Sequence, residues 1–243
     1  MKLEFHGADQ NVTGSCHLLE VSGKKILIDC GLYQGGREME EENAEPFGFD
    51  PASINYLILT HAHLDHCGRI PLLVKQGFTG EIITTSASCE LARIVLLDSA
   101  KLMEDEANYK SKKASRHGQK DRIEPLYNTV DVLECFSFFG RAANYDQPFI
   151  IDQGIQATFI DAGHILGSAS IVLDVENNGR QHRILFSGDL GYSGRAIIRD
   201  PTPPPPADIV VMETTYGDRL HKSLEPTLEE FYTAIRKTLA QGG

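Results

Sequence analysis

The chain has 243 residues, of which 41% are apolar, and its 34 acidic residues outnumber 23 basic ones to give a formal charge of −11. This length allows a sizeable apolar core, and the ordinary apolar content excludes a disordered chain. The sequence has no run of about 18 apolar residues and no signal-peptide pattern, so we predict no contact with a membrane. The five cysteines are odd in number and form no CxxC pair, which indicates reduced thiols and a cytoplasmic protein. The negative charge argues against a non-specific polyanion binder, although bound divalent cations would reverse its sign locally.

Short apolar runs separated by turn residues predict a chain of strands interrupted by helices. The predicted strands cover residues 15–21, 25–29, 54–60, 82–85, 156–160, 170–175, 183–186 and, as another buried strand, 208–212. Helical spacing of apolar residues predicts helices over 88–109, 129–139 and 227–240, the first of them capped by Ser88. Turn residues predict two hairpins, at Ser22-Gly23-Lys24 and at Asn177-Asn178-Gly179. Mixed α and β structure is therefore expected.

Two charged clusters interrupt this pattern. Glutamates at positions 38, 40, 41, 42 and 45 are expected to form a solvated loop. The basic residues of 110–122 are expected to form a solvated linker between helices, with a contact for phosphates as the functional alternative.

The segment THAHLDHCG, residues 60–68, carries the strongest functional signal. His61, His63, Asp65 and His66 fall within six residues, directly after a predicted buried strand. His61 and His63 are two apart, so they do not share one face of a helix, and the segment is not the HExxH helix of zinc proteases. A loop at a strand end that curls around metal ions fits this spacing, because imidazoles and carboxylates bind Zn²⁺ and related ions.

Three further candidates also follow apolar runs. Asp29 ends a predicted strand, His164 lies four residues past another, and Asp189 follows a third. Polar residues that follow strands gather at one edge of a sheet, so we expect these side chains near the histidine segment. The remaining histidines, which we interpret as ordinary residues, are His6, His17, His117, His182 and His221.

Together these motifs resemble the metallo-β-lactamase fold and, within it, the β-CASP branch of nucleic-acid-processing enzymes. The superfamily pattern is HxHxDH with a preceding Asp and a later His and Asp. The branch is indicated by the segments VTGSC (12–16), DCGLYQG (29–35), THAHLDHCGRIP (60–71), GHILGSA (163–169), FSGDLG (186–191) and ETTYG (213–217). The resemblance implies a mixed α/β (α+β) fold, a four-layer αββα sandwich with the site where the strand-end loops converge.

The resemblance also implies a role for each matching residue. His61, His63 and His164 match the ligands of a first metal, and Asp65 and His66 match ligands of a second. Asp189 matches the carboxylate that bridges the two metals. Asp29 matches a residue that orients a ligand histidine, and Glu213 matches the partner of a general-acid histidine. Two divalent ions are expected, zinc first and manganese as the alternative. The hydroxide formed from a bridging water would attack RNA phosphodiesters, with Asp65 and Glu213 as catalytic residues.

The family carries two further histidine motifs that this sequence does not contain. The resemblance therefore implies the N-terminal part of a longer protein, with residues 1–217 in the catalytic domain and 218–243 beginning the β-CASP domain. We expect the longer protein to be an RNA hydrolase and homodimer, and this chain to be weak or inactive alone. The alternatives are cleavage of DNA, hydrolysis of a small ester, thioester or β-lactam, and a non-catalytic RNA-binding subunit.

Overall fold

A computed structural model describes residues 1–116, 123–220 and 222–242. The chain divides into two compact units, Met1–Met212 and Glu213–Gly243. The first unit contains both β-sheets, and the second contains one helix, α6 (Leu224–Ala240). The predicted domain boundary at 217/218 stays a prediction. None of the helices in the described ranges is long and apolar enough to cross a membrane.

The first sheet has six strands in sequence order. They are β1 (Lys2–Phe5), β2 (His17–Val21), β3 (Lys24–Ile28), β4 (Tyr56–Ile58), β5 (Glu81–Thr85) and β6 (Phe139–Ala143). Strands β1 to β3 pair antiparallel, whereas β3 to β6 pair parallel. The β2–β3 hairpin turns at Ser22 and Gly23, where both residues have positive φ, as the sequence predicted. Parallel β3 and β4 end at the same edge of the sheet.

The second sheet has five strands. In spatial order they are β11 (Ile209–Val211), β10 (Arg180–Phe186), β9 (Ala169–Asn177), β8 (Ile155–Asp161) and β7 (Phe149–Asp152). Strands β7 to β10 pair antiparallel, and the predicted hairpin at Asn178-Gly179 joins β9 to β10. Because β8 and β10 both run opposite to β9, they end at the same edge.

The two sheets pack face to face over one core, and helices cover the outer face of the first sheet. The helices of the first unit are α1 (Arg37–Glu42), α2 (Leu64–Cys67), α3 (Ile70–Lys75), α4 (Ser86–Arg116) and α5 (Thr129–Cys135). Ile28 and Ile58 of the first sheet share the inter-sheet core with Phe159 and Phe186 of the second. The opposite face of the first sheet packs on α3, α4 and α5. The predicted α+β fold class is confirmed, with three of the four expected layers among the described residues of the first unit.

Several details of the sequence-based prediction were wrong. Ser88 does not cap α4, because the helix begins at Ser86. Thr85 Oγ1 accepts from the Ser88 amide at 3.2 Å, and the Ser88 hydroxyl donates to Gly167 O. Strand β11 is an edge strand and only half buried, because nothing pairs with its outer side in the described chain. Part of the acidic cluster is helical in α1. The basic cluster continues α4 to Arg116, and its members at 117–122 lie outside the described residues.

Candidate metal centre

The ends of four strands bring the predicted site residues together. Asp29 follows β3, and the histidine segment follows β4. His164 and Asp189 follow β8 and β10 of the other sheet. The candidate site therefore lies where the edges of the two packed sheets meet.

Four side chains form a group with the geometry of a metal site. His61, His63, His164 and Asp189 each offer one ligand atom, and these atoms all lie within 4.8 Å of one another. Nδ1 of His63 lies 3.1 Å from Nε2 of His61 and 3.1 Å from Nε2 of His164. His61 is fully buried, and the other three side chains are partly buried. Three imidazole nitrogens that converge in this way form a donor set suited to zinc.

The carboxylate of Asp189 lies between this group and a second pair of residues. Its Oδ2 is 3.4 Å from His164 Nε2 and 3.7 Å from His61 Nε2. Its Oδ1 is 3.2 Å from Nε2 of His66, and Asp65 Oδ2 lies 3.9 Å from the same nitrogen. The two oxygens of one carboxylate thus face two different sets of donors.

Asp29 fixes the protonation of two histidine rings. Its Oδ2 accepts from Nδ1 of His66 at 2.7 Å and from the Thr60 hydroxyl at 2.8 Å, and its Oδ1 accepts from the Thr60 amide at 2.8 Å. Because the Thr60 hydroxyl donates to Asp29, it accepts from Nδ1 of His61 at 3.0 Å. In both rings Nδ1 carries a hydrogen and Nε2 faces Asp189, the arrangement that a metal ligand needs.

The electrostatics of the two buried histidines differ. Burial, followed by the charges of the neighbouring histidines, holds the pKa of His61 well below its usual 6.5, so its Nε2 keeps a free lone pair. Burial also lowers the pKa of His66, but Asp29 and Asp189 outweigh it and raise that pKa to about 10. Burial raises the pKa of Asp189, and the hydrogen bond and charge of His66 reverse this and lower it. Without metal, His66 therefore holds a proton on the nitrogen that faces Asp189.

Backbone hydrogen bonds fasten the short helix α2, which carries Asp65. Three of its carbonyl oxygens accept from the amides of Ser15, Cys30 and Leu32 at 2.8, 2.7 and 2.8 Å. Gly31 lies so close to this helix that a Cβ there would be 1.6 Å from Asp65 O. Backbone atoms of the segments VTGSC and DCGLYQG thus fix the position of the helix that carries Asp65 and His66.

Glycine and serine shape the loop that carries His164. Gly163 has φ +63°, which favours glycine, and its amide donates to Asp161 Oδ1 at 2.9 Å. The Ser168 hydroxyl accepts from the amides of His164 and Ile165 at 3.1 and 3.2 Å. These bonds turn the chain sharply after β8 and direct His164 into the group.

Sequence reasoning assigned no role to Thr60, Ser15, Gly31 or Arg69, although all four lie in the quoted motifs. Arg69 is only 4% exposed, donates from Nε to Gly31 O at 3.0 Å, and lies 4.7 Å from the ring centroid of Phe47. The one feature of the sequence that could have pointed to these four residues is their position inside segments that also contain candidate site residues. Their roles follow from contacts between segments that spacing along the chain does not show.

Glu213 and the remaining histidines do not belong to this His/Asp group of the described residues. Glu213 opens the second unit, so its predicted role stays a prediction. His6, His17 and His182 are not members of the group. The remaining two histidines, His117 and His221, lie outside the described residues.

Two packed sheets with a His/Asp group where their strand ends meet define a metal-binding α+β protein. The family model of the metallo-beta-lactamase superfamily matches residues 10–215, and the chain belongs to that superfamily. The superfamily implies binding of a divalent metal, and a His/Asp group that could hold a metal ion is present. The predicted family is thereby confirmed, and the named relatives agree with the β-CASP resemblance.

Two of the three relatives described here carry ribonuclease or RNase in their names, and the third is named for cleavage and polyadenylation. Ribonuclease TTHA0252 of Thermus thermophilus is 38% identical over 100% of this chain and 50% of its own length. Cleavage and polyadenylation specificity factor 73 of Drosophila melanogaster is 30% identical over 98% of this chain and 32% of its own. An RNase J-like protein of Methanocaldococcus jannaschii is 30% identical over 99% and 49%. The chain thus spans half or less of the length of these relatives.

Proposed function

We propose that this chain is the metal-binding part of a ribonuclease that hydrolyses RNA phosphodiester bonds with two divalent ions, zinc before manganese. The position of Asp189 carries the proposal, because its Oδ2 faces His61 and His164 while its Oδ1 faces His66. One carboxylate shared by two donor sets is the arrangement expected of a two-metal site. The relatives named ribonucleases support RNA as the substrate.

The residues divide into two ligand sets around Asp189. His61, His63 and His164 would hold the first ion, and Asp65 with His66 would contribute to the second. Bound divalent ions supply a Lewis acid for phosphoryl oxygens and lower the pKa of a water to about 7.

The remaining steps belong to the side chains. Asp65, whose Oδ2 lies 3.9 Å from His66 Nε2, orients the attacking water and accepts its proton. Asp29 and Thr60 keep His66 and His61 in the ligating tautomer. The leaving oxygen needs a proton, and we assign Glu213 to hold a histidine that supplies it from outside this chain. The chain alone is accordingly a weak nuclease.

Cellular placement and assembly are part of the same proposal. All five cysteines are free thiols, which supports a reducing compartment, the cytoplasm. We also propose that the longer protein forms a homodimer, a proposal that the family resemblance supports.

Metal analysis combined with cleavage assays tests the proposal. The zinc-loaded chain and a version extended along its reading frame are incubated with labelled RNA, single-stranded DNA of the same sequence, a thioester and a β-lactam. We expect two metal ions per chain, weak RNA cleavage by the chain and strong cleavage by the extended protein. Equal RNA cleavage by both would contradict the role of Glu213, and turnover of the thioester or β-lactam alone would replace the proposed substrate.

Two substitutions separate catalysis from binding. His63→Ala is expected to remove metal and RNA cleavage in the extended protein while RNA binding persists. His182→Ala, which changes a histidine outside the group, is the matched control and should leave both unchanged. RNA cleavage that survives His63→Ala would show that the group is not the active site, and RNA binding without any cleavage by the extended protein would support a non-catalytic subunit.

A further inference from the structure

The loop after β10 carries an aromatic and a cationic side chain beside the metal group. Asp189 belongs to the group, and Tyr192 and Arg195 follow it by three and six residues. Three residues span at most about 11 Å of extended chain, so Tyr192 lies close to the site whatever the loop conformation. Gly191 holds the loop in place because its amide donates to Ala162 O at 2.8 Å.

Arg195 connects this loop to the His164 loop. Its Nη1 donates to the backbone oxygen of His164 at 2.7 Å, and its guanidinium carbon lies 4.7 Å from the centroid of the Tyr192 ring. Within the described ranges, Arg195 has no ion pair with a carboxylate, and a guanidinium has five N–H donors. The Arg195 side chain therefore retains both charge and donors for an anionic ligand.

Tyr192 offers a flat apolar surface to the solvent. It is 53% exposed, although an aromatic ring of this size usually contributes to a core. Arg195 packs against the ring, which limits the rotation of the ring. Proteins that bind single-stranded nucleic acids combine exposed aromatic rings with cationic side chains, because bases stack on the rings and phosphates pair with the cations.

We propose that Tyr192 and Arg195 form a nucleotide subsite in which the Tyr192 ring stacks on a base next to the cleaved bond and Arg195 binds a phosphate oxygen. This inference rests on the proposed RNA substrate and extends it by assigning the residues that position the strand. The contact of Arg195 with His164 O links the subsite directly to a proposed metal ligand. The strand would thereby be held in a fixed register relative to Asp189.

Binding measurements test the subsite without relying on the chain's own cleavage activity. The zinc-loaded chain is titrated into fluorescein-labelled decaadenylate RNA and into a labelled abasic ribose-phosphate decamer of equal charge. Tyr192→Ala is expected to weaken RNA binding about 5- to 10-fold, the loss of one stacked base, and to leave abasic binding unchanged. Tyr192→Phe keeps the ring and should restore RNA binding. Tyr109→Ala, a change of another exposed tyrosine, on α4, is the matched control.

Arg195→Ala has a different expected signature. It should weaken binding of RNA and of the abasic decamer alike and reduce the slope of log K against log salt by about 0.7, the value for one phosphate contact on a single strand. Zinc content of both variants is measured, because loss of zinc in Arg195→Ala would indicate that the residue only fastens the His164 loop.

Two results separate this inference from the proposed function. If Tyr192→Ala binds RNA as the unmodified chain does, or weakens abasic binding equally, the subsite is wrong and the ribonuclease proposal stands. If the unmodified zinc-loaded chain binds no RNA although the extended protein does, the subsite is wrong; if neither binds RNA, both proposals are overturned.

Discussion

Replacing Asp29 with asparagine tests whether one buried carboxylate prepares both metal positions. Asp29 is 1% exposed and accepts three hydrogen bonds of 2.7–2.8 Å from Thr60 and His66. Its φ of +60° is left-handed, a region that asparagine tolerates, so the variant keeps the backbone. The substitution changes one oxygen into an NH₂ group and little else.

The NH₂ group of Asp29→Asn donates where Asp29 Oδ2 accepts. The asparagine oxygen keeps the Thr60 amide, so the NH₂ meets Nδ1 of His66, which also donates. His66 must then give up its Nδ1 hydrogen and, as a neutral ring, keep the one on Nε2, the atom 3.2 Å from Asp189 Oδ1. A hydrogen there blocks the lone pair that the proposed second metal would need.

We expect Asp29→Asn to lower zinc affinity about tenfold to hundredfold, the usual cost of losing a residue that orients a metal ligand, or about 1.4–2.7 kcal/mol. Zinc is titrated into the metal-free chain against a chromophoric chelator, and bound zinc is counted by elemental analysis. The zinc equivalent that we assign to the second set should be affected more than the other, because His66 belongs to that set. Asp50→Asn, which alters a carboxylate that accepts from the Ala52 amide at an exposed turn, is the control. If Asp29→Asn binds two equivalents with unchanged affinity, the tautomer reasoning is refuted.

Three further predictions concern the same site. The pKa of His66 is about 10 in the folded metal-free chain and about 6.5 in the unfolded chain. The protonated ring therefore stabilises the fold fully below pH 6.5, and this stabilisation is lost as the pH rises to 10. In urea unfolding, the free energy of unfolding should fall by roughly 3 kcal/mol between pH 7 and 10, and His66→Asn should not show this fall. Gly31→Ala places a Cβ against Asp65 O and should cost roughly 1–3 kcal/mol or more in urea unfolding, whereas Gly36→Ala, which meets nothing within 4 Å, should not. Thr60→Val should weaken zinc binding in the chelator assay and Thr60→Ser should not, because serine keeps the hydroxyl that accepts from a ligand histidine; equal affinities in both variants would contradict that role.

Strands with their own apolar pattern could be predicted, and strands that depend on neighbours could not. β9 and β10 carry apolar residues on buried faces and a turn sequence between them, so local chemistry identifies them. β6 contains Gly140 and Arg141, and the sequence assigned its first residue to a helix. It becomes a strand because β5 pairs with it and because Arg141 donates to Glu81 at 2.7 Å. Such pairing joins residues 60 positions apart, which no local pattern contains.

The candidate site shows the same division. His61, His63 and His66 could be found because three histidines within six residues are rarely placed together unless they bind a metal. Asp29 and Asp189 needed the rule that polar residues follow strands, together with the family resemblance. The role of Thr60 could not be predicted, since its hydroxyl connects Asp29 to His61 only once β3 and β4 pair in register.

Two carboxylates, Asp189 and Asp29, connect the two donor sets, one on each side of them. Asp189 contacts His61 and His164 with one oxygen and His66 with the other. On the opposite side, Asp29 holds His66 directly and His61 through a hydroxyl. A cation bound by His61 would draw Asp189 Oδ2 toward it and replace part of the negative charge that keeps His66 protonated. An ion at the first position would therefore weaken the hold of Asp189 on the proton of His66 Nε2, the atom with which His66 would contribute to the proposed second position.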